Sequence, residues 1–199
     1  MKVELHLHTS RYSACAIHAP HEMIARLIET GYEAVYITEH DAVWRDDDLE
    51  DLRAEFPAIR IFPGVELTLG SQHLLVLGTT DPAYLSLGAE RAAIEKARRE
   101  NHLTVLAHPF RWAGSSVMLG GDMLPDAIEY YTANHEPGMA GISRAESIRL
   151  KLPLVNASDA HSMDMIAHYW IETHRPVRRA DDIRRIVLSG QYELRTAAG

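Results

Sequence analysis

The sequence predicts a parallel α/β fold, either a barrel or an open sheet, and a reduced or distorted barrel fits its length better. Three observations carry that expectation. Short apolar runs alternate with helical segments along the chain, the pattern of strand–crossover–strand units. Histidines and carboxylates recur where those runs end, and parallel α/β folds build their sites at strand C-termini. The 199 residues suffice for one domain with one core but fall short of the ~250 typical of a full eightfold barrel.

The elements follow in order. VELHLHTS, residues 3–10, alternates Val3, Leu5 and Leu7 with Glu4, His6 and His8. A period of two marks a half-buried strand over 3–7, with Glu4, His6 and His8 on one face. That face is either an ordinary polar exterior or one wall of a site. A helix is expected over 20–30, with Pro20 at its first position and Gly31 at its end. Strand 34–38 leads into Thr38-Glu39-His40-Asp41. Helix 47–56 opens on the acidic run RDDDLED, residues 45–51, whose carboxylates favour the positive end of a helix. Strand 60–65 closes on Gly64-Val65-Glu66, and His73 begins strand 73–78. One long helix is expected over 82–100. Strand 103–107 closes on Ala107-His108-Pro109. The glycine-rich stretch 114–122 lacks the Lys-Ser/Thr ending of a nucleotide P-loop and reads as a mobile loop at the barrel mouth. Strands 127–131 and 154–157 flank a helix over 139–150, and Ser158-Asp159-Ala160-His161 follows. Strand 168–173 and helix 180–188 close the series. In that helix Ile183, Ile186 and Val187 share one face.

Composition narrows the function. Hydrophobic residues make up 46% and charged residues 24%, the ordinary globular range. No apolar run approaches the ~20 residues that span a bilayer, and no basic segment precedes an apolar core as in a signal peptide. No membrane association is expected. A formal net charge of −8 disfavours long nucleic acid, which demands basic surface. Cys15 is the only cysteine, so no intrachain disulfide can form, and a reducing cytoplasm is the expected setting. The 12 histidines matter by their placement. Imidazole and carboxylate together suit zinc, manganese or iron. A carboxylate shared by two ions suits phosphate-ester hydrolysis.

The stretches HLHTSRYS, TEHD, GVELT with HLLVLG downstream, AHP and SDAH occur in this order over residues 6–161. In them the sequence resembles the PHP domain, the polymerase and histidinol phosphatase superfamily. The tail PVRRADDIRRIVLSGQYEL is similar to the closing segment of small PHP proteins. The resemblance spans nearly the whole chain. It implies a single domain over 1–199, a distorted (β/α)7 barrel, two or three divalent metal ions and phosphoesterase chemistry. Carried over residue by residue, His6, His8 and Asp159 bind the first ion. Glu66 bridges the first and second, His73 and His108 complete the second, and His40 and His161 hold the third. Relatives often carry Asp where Glu4 and Glu39 stand here; both keep a carboxylate able to orient ligands. Many relatives carry a third-ion ligand where Ala14 stands. A binuclear centre is therefore expected, and the third ion is left open. Cys15, next to Ala14, reads as a small buried hydrophobe.

Glu66, Asp159 and His161 form the expected catalytic set. A water bridging the first two ions would lose its proton near neutral pH and act as nucleophile. Arg111, directly after AHPF, and Arg144, in GISRAES, are candidates to bind the phosphate. His18, His21, His102, His135, His168 and His174 have no motif around them and read as surface or packing residues. The expected substrate is a small phosphorylated metabolite or nucleotide, with a short oligonucleotide left open. Two rivals stand beside it: a metal-dependent amide or lactone hydrolase of amidohydrolase type, and a degenerate PHP domain that binds without catalysing.

Overall fold

The computed structural model of the chain describes residues 1–112, 115–136 and 138–197. Its strands form one sheet. They are β1 (Lys2–Leu7), β2 (Ala34–His40), β3 (Arg60–Leu69), β4 (Gln72–Leu77), β5 (Leu103–Ala107), β6 (Ala127–Glu129), β7 (Leu154–Val155), β8 (Tyr169–Thr173) and β9 (Tyr192–Thr196). Their spatial order is β7-β6-β5-β4-β3-β2-β1-β8-β9. The stretch after β7 returns to β1: the Ala160 N–H donates to His6 O at 3.3 Å and the His8 N–H to Ala160 O at 3.0 Å. The sheet is thereby nearly closed into a barrel, with β8 and β9 trailing beyond β1.

The parallel expectation holds for the pairs β1–β2, β2–β3, β5–β6 and β6–β7. It fails at β4, which is antiparallel to both β3 and β5, and at β8 and β9. The reason at β4 is a two-residue turn. Leu69 pairs with Gln72 across Gly70-Ser71, and Gly70 has φ +66°, a left-handed conformation that glycine adopts without a Cβ penalty. Strand β9, which the sequence reading omitted, pairs along β8 from Tyr192 to Thr196. The expected strands over 127–131 and 154–157 shorten to Ala127–Glu129 and Leu154–Val155.

The helices are α1 (Pro20–Glu29), α2 (Asp46–Glu55), α3 (Glu90–Arg99), α4 (Met139–Leu150) and α5 (Asp182–Leu188). Pro20 opens α1 as expected. The expected long helix over 82–100 divides instead into a short 3-10 segment, Pro82–Ser86, and α3. Gly88 lies between them at φ +64°, and a left-handed residue cannot continue a right-handed helix. No helix among the described residues is long and apolar enough to cross a membrane.

Three apolar clusters organise the packing. One joins Val3, Leu5, Tyr36, Leu75, Val105 and Val155 and is sealed by Ile183, Ile186 and Val187 of α5. It draws on β1 to β7 and fills the barrel. A second packs α1 and α2 outside β1 and β2 through Met23, Leu27, Leu49 and Ile37. The third seats α3 against β4 and β5 through Ala93, Ile94, Val76 and Leu106. With both faces of the sheet covered, polar side chains can gather only where strands end, and they do.

Candidate metal centre

Strand β1 supplies the first two imidazoles through an irregularity. Its register with β2 shifts between Glu4 and Leu7. Val3 and Leu5 belong to the barrel interior, whereas Leu7 belongs to the layer beneath α1 and α2. The simple alternation therefore breaks, and Glu4 does not share a face with His6 and His8. Its buried carboxylate accepts instead from the backbone N–H groups of Leu5 (3.0 Å), His6 (3.1 Å) and Ser158 (2.9 Å). It pins β1 to the stretch that carries Asp159. Burial pushes its carboxyl up to about 6, against the opposing bonds from Ser158.

The β3–β4 hairpin explains how a histidine that begins a strand joins residues that end strands. Thr68 of β3 pairs with His73, so the start of the reversed strand lies at the same rim as the end of its neighbour. At two other points the backbone turns sharply inward. His108 has φ +25° and Asp159 has φ +49°. Left-handed conformations cost about 1–3 kcal/mol in non-glycine residues and cluster at functional sites.

These devices bring together all eight residues expected to hold metal. Glu66, fully buried, is the hub. Its Oε1 lies 2.7 Å from His73 Nδ1 and 3.0 Å from His108 Nε2. Its Oε2 lies 3.1 Å from His6 Nε2, 3.1 Å from His8 Nε2 and 3.0 Å from His40 Nδ1. Asp159 Oδ1 faces His6 Nε2 at 3.2 Å and His8 Nε2 at 3.3 Å. His161 is half-buried, its ring stacked on His8 with centres 4.2 Å apart, and His40 stacks on the same imidazole at 4.3 Å. The ligand atoms fall into three overlapping groups: His6, Glu66, His108 and Asp159; His40, Glu66 and His73; and His8, His40 and His161.

The donor set fits divalent cations. Glu66 Oε2 and Asp159 Oδ1 are buried without an aligned hydrogen-bond donor among the described residues, a state that costs free energy unless a charge compensates it. Ligand atoms about 2.0–2.1 Å from a tetrahedral ion stand about 3.3 Å apart. The Nε2 atoms of His6 and His8 are 3.0 Å apart, and both carboxylate oxygens are 3.1–3.3 Å from them. The protonation states agree. Burial alone, the largest single influence, would raise Glu66 and Asp159, but the His6 charge and the imidazoles of His108 beside Glu66 and His8 beside Asp159 together hold both carboxyls below their ordinary range. Burial alone would lower His6, yet Asp159, Glu66 and Glu129 raise it well above its ordinary value. Without metal, protons supply the positive charge that the carboxylates demand. His161 goes the other way: burial and the His8 charge bring it down to about 4.

Around this centre, Glu39 accepts from Thr9 N–H (3.1 Å), from the Thr9 hydroxyl and from the Ser13 hydroxyl (2.5 Å). The Ser13 Oγ in turn lies 3.3 Å from His8 Nδ1 and accepts from the His40 N–H at 3.1 Å. Glu39 thus reaches two of the imidazole-bearing residues through Ser13. Ala14 is exposed, and Cys15 is exposed rather than the expected buried hydrophobe, because it lies in the turn between Ser13 and α1 and not on a strand. Asn134 donates to Asp159 Oδ2 at 2.7 Å. Arg111 stands at the rim, its Nη1 3.9 Å from Asp159 Oδ2, and its guanidinium lies 5.0 Å from the exposed Trp112 ring. Arg144 is exposed on α4. Of the glycine-rich stretch 114–122, Gly114 lies outside the described residues.

One carboxylate escaped the sequence reading. Glu129, fully buried at the end of β6, has Oε1 3.0 Å from His6 Nδ1 and accepts the His108 N–H through Oε2 at 2.6 Å. It was missed because the expected strand ran on to Tyr131 and left Glu129 in its middle.

Comparison with known proteins agrees with this architecture. Residues 142–192 match the family described as PHP-associated. A two-domain protein from Bacteroides vulgatus containing a predicted PHP-like metal-dependent phosphoesterase superposes with a TM-score of 0.77 at 14% identity, over 98% of this chain and 64% of that one. This chain therefore spans less than two thirds of that neighbour. A protein from Bifidobacterium adolescentis, provisionally described as a metal-dependent phosphoesterase, gives a TM-score of 0.66 at 13% identity over 92% and 94% of the two chains. An amidohydrolase from Chromobacterium violaceum, solved with sulfate and no metal, gives 0.69 at 14% identity over 100% and 99%. No curated protein sequence matches the chain.

Proposed function

We propose that the chain is a PHP-domain protein, a reading supported by its fold, its motif order and its matched C-terminal segment, and that it is a metal-dependent hydrolase acting on a phosphate ester of a small metabolite or nucleotide. The observation that carries this reading is the buried Glu66 carboxylate, placed within 2.7–3.1 Å of the nitrogens of five histidines. One oxygen faces His73 and His108, and the other faces His6, His8 and His40. A carboxylate divided in this way is suited to join two ions and hold their spacing.

In this reading His6, His8 and Asp159 would hold one ion with Glu66, and His73 and His108 would hold another. His40 and His161, both partly exposed, would hold a third. Zinc, manganese or iron bound there would supply Lewis-acid charge and an acidified water. The chain's own groups do the rest. Arg111, at the rim beside Asp159, offers a guanidinium to the phosphoryl oxygens. Asn134 and Asp159 keep each other oriented. His161, brought down to about 4 by burial and the His8 charge, favours the neutral imidazole that a metal ligand needs. Of the eight residues, His40, His73 and His161 are partly exposed and the other five are buried, so a small ester would approach from the side of those three.

The second reading, hydrolysis of an amide or lactone, is supported by the likeness to the Chromobacterium violaceum amidohydrolase. One experiment separates the two. Metals are counted by mass spectrometry in the purified protein and in Asp159→Ala. The metal-loaded protein is then offered phosphomonoesters, phosphodiesters, amides and lactones, with inorganic phosphate as inhibitor. Two or three ions, fewer in the variant, with phosphate-ester turnover that phosphate inhibits, support the first reading. Turnover of amides or lactones alone supports the second. Absence of bound metal after incubation with zinc and manganese overturns both and leaves a binding module.

A further inference from the structure

Glu129 has no place in the ligand set, yet its carboxylate is fully buried. A buried carboxylate is costly unless its oxygens are used. Both are used here, on two different members of the cluster. Oε1 meets His6 Nδ1 at 3.0 Å, and Oε2 accepts the backbone N–H of His108 at 2.6 Å. The placement follows from the sheet. Leu106 of β5 pairs with Ile128 of β6, so the next residue of β6 lies beside the point where β5 ends and the chain turns at His108.

The two bonds have different consequences. His6 presents Nε2 to Glu66 and Asp159. For that nitrogen to offer a lone pair to a cation, the ring proton must sit on Nδ1, where Glu129 accepts it. A carboxylate in this position fixes both the tautomer and the plane of a ligand imidazole. His108 needs a different support. Its Nε2 faces Glu66 Oε1 at 3.0 Å, but its Nδ1 has no hydrogen-bond partner among the described residues. Its ring is thus not steered from its own second nitrogen. Its backbone is held at φ +25°, and the N–H at that strained residue is the one Glu129 accepts.

We infer that Glu129 is a positioning residue for the metal centre, orienting the His6 ring through Nδ1 and the His108 ligand through its backbone. The inference rests only on the metal-holding part of the proposed function and is indifferent to the ester hydrolysed.

The test uses zinc alone as the probe. Metal-free wild-type protein, Glu129→Gln and Glu129→Ala are titrated with zinc against a fluorescent chelator, and their metal-free melting temperatures are measured in parallel. Loss of a carboxylate behind a metal-bound histidine typically weakens binding about 10–100-fold. That loss is expected in Glu129→Gln, whose amide keeps the volume but cannot accept at both atoms; its metal-free melting temperature is expected to fall below that of the wild type, since a buried partner of His6 is removed, so affinities are compared at a temperature where both proteins are folded. In the zinc-loaded wild type, nitrogen NMR of the imidazoles is expected to show His6 protonated at Nδ1 and metal-bound at Nε2. Wild-type zinc affinity in Glu129→Gln would overturn the inference, and so would a His6 proton on Nε2. If the variants fail to fold, the NMR result on the wild type decides. Failure of the wild type to bind zinc would overturn the metal reading itself, a distinct outcome.

Discussion

Replacing Glu66 by Gln isolates one charge at the middle of the cluster. The amide fills the same volume, so the change is electrostatic. In the metal-free protein the His6 imidazole is held well above its ordinary value and His8 is also raised. Their charges are balanced by Glu66 and Asp159. Removing one partner of a buried pair costs about 3–5 kcal/mol, because it leaves the other charge buried without compensation. In a domain of this size 1 kcal/mol moves the melting temperature by about 2–4 °C. Metal-free Glu66→Gln should therefore melt about 6–20 °C below the wild type. The sign of its pH dependence follows from the two shifts. The Glu66 carboxyl lies well below its ordinary 4.5, so its contribution is present above pH 4.5 and is lost as pH falls through the folded value. The His6 value lies well above 6.5, so its contribution is complete below pH 6.5 and is lost as pH rises through the folded value. The two overlap between pH 4.5 and 6.5, where the deficit of the variant should be greatest. Calorimetric melting of chelator-treated proteins at pH 5.5 and at alkaline pH measures this. Equal melting temperatures at pH 5.5 would refute the argument that Glu66 compensates buried imidazolium charge.

The other predictions concern the loaded site. Zinc must displace protons from His6 and His8, whose values are raised, so zinc affinity should rise with pH between 6 and 8; chelator competition at both values checks it, and a flat profile contradicts the imidazolium–carboxylate state. Arg111→Ala should raise KM for a phosphate ester about 10- to 100-fold, the equivalent of a hydrogen bond to a charged group. Arg144→Ala, on the exposed face of α4, should leave KM within about twofold in the same steady-state assay. Cys15→Ser should retain the full metal complement by mass spectrometry; loss of one ion would make the exposed thiol a ligand.

How much of this was legible in the sequence depends on what places a residue at the rim of the barrel. His6, His8, Glu66, His108 and Asp159 were found because strand ends in a parallel α/β fold share one rim, and each stands at the end of an apolar run. That rule follows chain direction, whereas the physical criterion is the rim itself. His73 reaches the rim by the opposite route, from the start of a reversed strand. Its signal was present in Gly70-Ser71, two turn residues between apolar runs, which specify a hairpin. The rule also fails where strand length is misjudged. Nothing in AIEYY shows that the strand stops after three residues, since Tyr130 and Tyr131 suit a strand as well as Ile128 does. Regular strand geometry ends at Glu129 although the chain beyond it stays bonded to the stretch after β7, Tyr130 N–H to Val155 O and Ala157 N–H to Tyr131 O, while that stretch also closes on β1, where Glu4 accepts the Ser158 N–H. The same closure breaks the alternation in VELHLH and separates Glu4 from the two histidines beside it in sequence. The residues that cluster at the rim can be read from residue type and local pattern. Glu4 and Glu39 were legible only through the resemblance, and Ser13 and Glu129 can be read only once the barrel has closed, because their partners lie on other strands and turns.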